Sequence, residues 1–220
     1  MSKTMTMQEA ITEAKRCLNC SRPLCRTGCP IENNIPEFVR ALSEGNIGTA
    51  YETIAERSNL PAICGRVCAH EKQCEAHCIL AKKNSAIPIG SLEMFIADFA
   101  HEYGLNPAPP STGKRGKVAV IGSGPAGLTV AGDLAKMDFA VTIFEGQPEP
   151  GGVLLFGIPE SRLEKDVVRR EINILRNLGV EIVTEKLIGP DMTVDDLFTQ
   201  GYDAIFMGTG TALPRTLDIP

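Results

Sequence analysis

The sequence predicts two consecutive domains, an α-helical domain rich in cysteine followed by an α/β domain of Rossmann-like architecture. Three observations carry this reading. All 8 cysteines fall between Cys17 and Cys78. An apolar strand, a G-x-G-x-x-G turn and an apolar helix follow one another from Val118 onward. Between the two, the stretch NPAPPSTGKRGK changes the composition abruptly, which sets a boundary near residue 110 and domains of 1–110 and 111–220.

Bulk properties narrow the function classes. A chain of 220 residues with 43% hydrophobic content can bury two modest cores. A net charge of −5 argues against nucleic acid as a partner, because such proteins need a basic face to release counterions. No apolar run reaches the length of a membrane span. The start, MSKTMTMQEAITEAKR, lacks the apolar core of a signal peptide, so a cytoplasmic location with reduced thiols is expected.

In the first domain, Ile11, Ala14 and Leu18 predict a helix over 7–18 that delivers Cys17 and Cys20 into the loop SRPLCRTGCP. Pro36 suits a first helical turn, followed by Phe38, Val39 and Leu42. Gly45 and Asn46 then break to a second helix with Ala50, Ile54 and Ala55. Cys64 and Cys68 lie in the Gly-containing stretch ICGRVC. Ser91 is expected to cap a helix through Phe95, Phe99 and Tyr103 that stops at Gly104.

The cysteines form two groups. Cys17, Cys20, Cys25 and Cys29 read C-x2-C-x4-C-x3-C and are closed by Pro30, while Cys64, Cys68, Cys74 and Cys78 read C-x3-C-x5-C-x3-C. Sulfur for two tetrahedra suggests two iron–sulfur cubanes. The Cys-Pro that closes ferredoxin-type motifs commonly ligates the other cluster, so the groups are expected to interleave. Zinc is the competing reading, but its ribbons favour paired C-x2-C knuckles and only Cys17 and Cys20 have that spacing. His70 and His77 could replace a thiolate, although the thiolates already suffice.

In the second domain, the strand Val118 to Ile121 runs into Gly122, Ser123, Gly124, Pro125, Ala126 and Gly127. A helix follows through Leu128, Ala131 and Leu134, then a strand from Val141 to Phe144 that ends in Glu145. Gly122 makes the tight turn, Gly124 lets backbone approach a pyrophosphate, and Gly127 lets helix and strand pack closely; Glu145 stands where an acid holds ribose hydroxyls. The helix N-terminus supplies a positive field for phosphates. The segment GQPEPGGVLLFGIPESR is too irregular for a strand and is expected to wrap a ligand. A helix from about 163 to 178 puts Val167, Val168, Ile172, Leu175 and Leu178 on one face. Strands follow at 180–183 and 203–207, the latter entering Gly208-Thr209-Gly210, whose small residues admit a ring or another backbone.

Taken together, RCLNC, the Cys-Pro pair, LPAICGRVC, CEAHC, IPIGSLE, VIGSGPAGL, GGVLLFGIPESRL, LGVEI and GTG resemble the amino-terminal part of the NAD(P)H-dependent glutamate synthase small subunit family. They are similar also to the corresponding domains of dihydropyrimidine dehydrogenase and of NADH-dependent ferredoxin:NADP oxidoreductase. The resemblance implies a helical domain with two [4Fe-4S] clusters followed by an incomplete, Rossmann-like FAD-binding domain. It assigns one cluster to Cys17, Cys20, Cys25 and Cys78, and the other to Cys29, Cys68, Cys74 and Glu93, leaving Cys64 as a near neighbour. It implies FAD on the Gly122–Gly127 turn, Glu145 on the adenosine ribose, and the backbone of Gly151, Gly152 and Val153 near the isoalloxazine. Arg162 matches an FAD-contacting arginine, and Leu187, Thr209 and Gly210 lie close to the flavin by position. Ser161 and Glu164 depart from the aromatic residue and the proline usual there.

The implied role is that of an electron-transfer module that moves electrons between a nicotinamide nucleotide, FAD and clusters leading to a redox partner subunit. No side chain is required as acid, base or nucleophile, so none is named catalytic. The alternatives are a non-enzymatic subunit that holds clusters within a larger redox complex, and a zinc-scaffolded interaction module. Only one G-x-G-x-x-G is present, and the family continues with a second glycine turn for NAD(P)H. The expectation is therefore a piece of a split enzyme or a truncated chain that reaches NAD(P)H through a missing or partner domain.

Overall fold

The computed structural model describes residues 5–83, 85–105 and 108–211. The starting residues of the signal-peptide reading and the last nine of the expected second domain lie outside them. The chain forms two compact units, Met1–Pro109 with Pro159–Glu171, and Pro110–Ile158 with Ile172–Pro220. The segment Pro159–Glu171, read from the sequence as part of the second domain, groups with the first unit.

The first unit is helical. Helix α1, Met7–Ala14, opens with a reciprocal capping box: the Glu9 amide donates to Thr6 Oγ1 at 3.3 Å, and the Thr6 amide to Glu9 Oε2 at 2.7 Å. It ends before the expected residue 18. Tighter turns at Arg16 and Cys17, whose amides bond Glu13 and Ala14, leave Leu18 60% exposed and redirect the chain toward Cys20. Within the expected loop, α2 (Leu24–Thr27) is a single helical turn carrying Cys25. Helices α3 (Ile35–Ser43) and α4 (Ile47–Ala55) bury Phe38, Val39, Leu42, Ala50 and Ile54.

The Gly-containing stretch around Cys64 is helical: α5 spans Pro61–Val67, and Cys68 ends it by leaving the helical region at ψ 147°. Helix α6, Ile89–Glu102, starts ahead of Ser91 because the Pro88 carbonyl accepts the Leu92 amide and Pro88 becomes the cap. Ser91 therefore lies inside the helix and does not cap it, and Glu93 falls on its buried face. Leu92 and Ile96 meet Phe38, Leu42 and Ile54 in the core.

The second unit contains a parallel sheet. Strand β1 (Lys117–Ile121), α7 (Pro125–Lys136) and β2 (Ala140–Phe144) form a βαβ unit. Next come the short helix α8 (Val153–Phe156), α9 (Lys165–Asn177), whose residues up to Glu171 group with the first unit, β3 (Glu181–Val183), α10 (Val194–Thr199) and β4 (Ala204–Met207). The sheet order is β3-β2-β1-β4, with every pair parallel. The order reverses between β1 and β4, and such a switch point opens a crevice at the carboxyl ends of the strands. The apolar face predicted for α9 is buried, with Val167, Val168, Ile172, Leu175 and Leu178 all at 3% exposure or less. Among the described residues, no helix is long and apolar enough to cross a membrane.

Candidate functional site

Cys17, Cys20, Cys25 and Cys78 line one cavity of about 270 Å³, whose apolar wall includes Ile35, Val39, Ile87 and Ile89. They arrive from the turn after α1, from α2 and from the segment ahead of a 3₁₀ turn at Ile79–Lys83, so the set draws on both sequence motifs. The thiols feel one another: the Cys25 thiol is raised to about 11, chiefly by burial, with the Arg26 amide opposing and charge on Cys17, Cys78 and Cys20 adding. Burial also raises Cys17, with the Asn19 amide opposing and Cys20 and Cys78 adding. Thiols that resist ionisation together gain most from a cationic core, which holds them as thiolates and releases their protons. Among the described residues, no three His, Cys, Asp or Glu side chains close on a single point as ligands of one ion do. These four line the same cavity instead, and no disulfide pairs any of the eight cysteines.

Cys29, Cys68, Cys74 and Glu93 form a second group. Burial pushes Cys74 up to about 12, with charge on Glu75, Glu93 and Cys29 adding to it. Glu93 is 8% exposed, and burial followed by charge on Cys68 and Glu171 raises its carboxyl to about 8. What brings Glu93 to the cysteines is Gly65. A Cβ there would stand 2.6 Å from the Met94 nitrogen and 2.9 Å from the Gly90 oxygen, so α5 and α6 touch backbone to backbone beside Cys64, Cys68 and Glu93. Cys64 joins this group, its thiol hydrogen-bonded to Cys68; that bond lowers Cys68 to about 7. His77 lines the first cavity with Nδ1 2.6 Å from the Gln73 carbonyl, whereas His70 packs against Gly90 with Nε2 buried and unpartnered.

A polar network braces this group. On α6, Asp98 accepts from Arg66 of α5 at 2.8 and 3.0 Å and from Arg170 of α9. Next to Arg170, Glu171 is 1% exposed with Oε2 lacking a hydrogen-bond partner. Neither Gly65 nor this network was singled out from the sequence. Their roles arise from distant contacts and leave no local motif.

At the glycine turn of the second unit, Gly122 adopts φ +94°, and a Cβ there would meet the Gly208 oxygen at 2.5 Å. Gly127 is tighter still, with its Cβ position 1.9 Å from the Gly122 oxygen, whereas Gly124 faces open space. Pro125 opens α7, Ala126 is exposed, and the Leu128 amide bonds the Gly124 carbonyl. Gly208 thus closes against the turn at the switch point, with Thr209 and Gly210 exposed beside it. The room at Gly124 and the free amides opening α7 fit a pyrophosphate.

Glu145 sits beneath this turn at 9% exposure. Its Oε2 accepts from the Ser123 amide at 2.9 Å and from the Ser123 hydroxyl, and its Oε1 from the Gln147 amide at 2.9 Å. The Gly151 amide in turn donates to Ser123 Oγ at 3.0 Å. A carboxylate offers about four acceptor sites, so one is left for a ribose hydroxyl. Gly152, at φ +52°, packs its would-be Cβ 2.9 Å from the Gly124 Cα. Val153 is 56% exposed, and Leu187 is 54% exposed against Gly146. Arg162 is exposed and groups with the first unit, where it lines a cleft with Arg66, Asp98 and Arg170.

Fold and donor sets together define a class. A family model described as dihydropyrimidine dehydrogenase domain II, 4Fe-4S cluster, matches residues 1–105, and one for an NAD(P)-binding Rossmann-like domain matches residues 120–158. The chain is a [4Fe-4S]-type domain followed by a Rossmann-like nucleotide-binding region. More particularly, it is homologous to part of the glutamate synthase small chain. It is 40% identical over 204 residues to the glutamate synthase [NADPH] small chain of Escherichia coli K12, an alignment covering 92% of this chain and 43% of that protein. With the NAD-dependent dihydropyrimidine dehydrogenase subunit PreT of the same strain it shares 36% identity, over 97% of this chain and 53% of PreT. With the glutamate synthase [NADH] of Saccharomyces cerevisiae it shares 37%, over 98% of this chain and 10% of that protein. The chain therefore spans about half or less of the length of these relatives.

Proposed function

We propose that the chain is an iron–sulfur flavoprotein module of an NAD(P)H-dependent oxidoreductase, with two [4Fe-4S] clusters in residues 1–110 and FAD on residues 111–220. The observation that carries the reading is the sorting of donors. Cys17, Cys20, Cys25 and Cys78 share one cavity, while Cys29, Cys68, Cys74 and Glu93 share another neighbourhood, each set mixing residues distant in sequence. When bound, FAD and the clusters convert the two electrons of a hydride into single electrons.

The chain's own residues bind and position. Gly122, Gly124 and Gly127 keep the turn narrow and the phosphate side open, and Ser123 with Glu145 locks that turn. Gly152, Val153, Leu187, Thr209, Gly210 and Arg162 are assigned to the flavin by resemblance. The electrons pass to or from a redox partner subunit.

The test is anaerobic purification with iron and sulfide reconstitution, followed by measurement of iron, sulfide, zinc and flavin per chain. Brown cluster absorbance with resolved flavin bands is expected. Brown protein that takes up no FAD supports the cluster-holding alternative, and colourless protein with zinc overturns the reading. Mixing with NADH or NADPH should bleach the flavin slowly with the chain alone and rapidly once a co-purifying subunit is added.

A further inference from the structure

Cys64 is left over when the two donor sets are drawn, yet it stands among the second. It lies one helical turn before Cys68 on α5, and its thiol is hydrogen-bonded to the Cys68 sulfur. Ser58 Oγ reaches Cys64 Sγ at 3.9 Å from its other side. The Gly65 contact presses this part of α5 onto α6 between Gly90 and Met94, next to Glu93. Cys64 adjoins Gly65 on α5 and Glu93 adjoins Met94 on α6, so Cys64, Cys68 and Glu93 flank one helix contact. Cys29, Cys64, Cys68, Cys74 and Glu93 thus offer five donors where a cubane takes about four.

We propose that Cys64 is a reserve ligand of the second cluster, able to take the coordination position of Glu93. The proposal rests on the two-cluster reading above. The exchange balances without any redox partner: Cys64 gives up its thiol proton as its sulfur binds iron, and the Glu93 carboxylate takes up a proton as its oxygen leaves. Net charge is unchanged and no electron moves. Thiolate is the softer donor for iron, so the exchange would turn a mixed-ligand site into an all-thiolate one with a different potential.

Reconstitution of the full chain as wild type, Cys64→Ala, Glu93→Ala and the double variant tests this. Each single variant should keep the iron and sulfide of both clusters, and Glu93→Ala should change the reduced-state EPR signal and potential of one cluster. The double variant should lose about half the iron. Glu93→Asp, which keeps a buried acid but shortens its reach, should behave like Glu93→Ala and serves if the alanine variant fails to fold. Loss of half the iron in Glu93→Ala or Glu93→Asp alone, or full retention in the double variant, would overturn the reserve role. Wild-type protein with the iron of only one cluster would instead refute the two-cluster reading, and the reserve role with it.

Discussion

Replacing Glu171 by glutamine isolates the electrostatics behind the second donor set. Glu171 is 1% exposed, and burial lifts its carboxyl from 4.5 to about 8, against the pull of Arg170, the Ala62 amide and Arg66. Between those two values the unfolded chain has ionised while the folded chain still holds the proton. The unfolded state then binds fewer protons, so stability falls as pH rises, and the loss levels off above about 8. Each pH unit in that window costs about 1.4 kcal/mol, which gives roughly 3 kcal/mol at pH 7. Glutamine has nearly the same size and no proton to lose, so Glu171→Gln removes this residue's share of the slope and leaves that of Glu93. Anaerobic denaturation between pH 6 and pH 8 should show the wild type losing roughly 2 kcal/mol relative to the variant. Infrared spectra at pH 7 should show a neutral carboxyl band that the variant lacks. Stability curves of equal slope for the two proteins would refute a protonated Glu171.

Three further perturbations follow from the same contacts. Gly124→Val points a side chain into open space at φ −69°, so the fold should survive with cluster absorbance intact while FAD is lost; stoichiometric flavin in the variant would refute the turn assignment. Gly127→Ala, by contrast, drives a Cβ to 1.9 Å from the Gly122 oxygen and should lower the melting temperature as well as flavin retention, at a cost of about 3 kcal/mol. Asp98→Ala strands Arg66 and Arg170, whose side chains are only 14% and 16% exposed; thermal denaturation should register about 3 kcal/mol, and iron should be lost from the second donor set before the first.

Where local chemistry dictates structure, the sequence was legible. The βαβ unit at 117–144 and the apolar face of α9 follow from strand pattern, glycine spacing and helical periodicity, and the structure places all of them within two or three residues. The helix α10 was missed although Thr193 and Asp196 form a capping box, a signal that could have found it. Ser91 is the better cap of α6 by residue type, but Pro88, whose carbonyl accepts the Leu92 amide, takes that position. The grouping of Pro159–Glu171 with the first unit had no local signal, since it depends on Arg170 meeting Asp98 across 72 positions of sequence.

Glu93 is a candidate donor that cysteine spacing alone does not point to and that only the family resemblance names. By composition it is one of 27 acidic residues, and eight thiols already seemed enough for two cubanes. Its position is set by a glycine on another helix. Gly65 lets α5 close on α6 until the carboxyl has no water to ionise into and stands beside Cys68. A methyl group at position 65 would need to enter space held by the Met94 and Gly90 backbone, which cannot retreat as a flexible side chain can. The helices would then separate, moving Cys64 and Cys68 away from Glu93 while leaving Cys29 and Cys74, which lie on neither helix, where they are. The approach of Cys64 and Cys68 to Glu93, on which the proposed coordination by the second set depends, is thus a property of one interhelical contact, and spacing along the chain cannot express it.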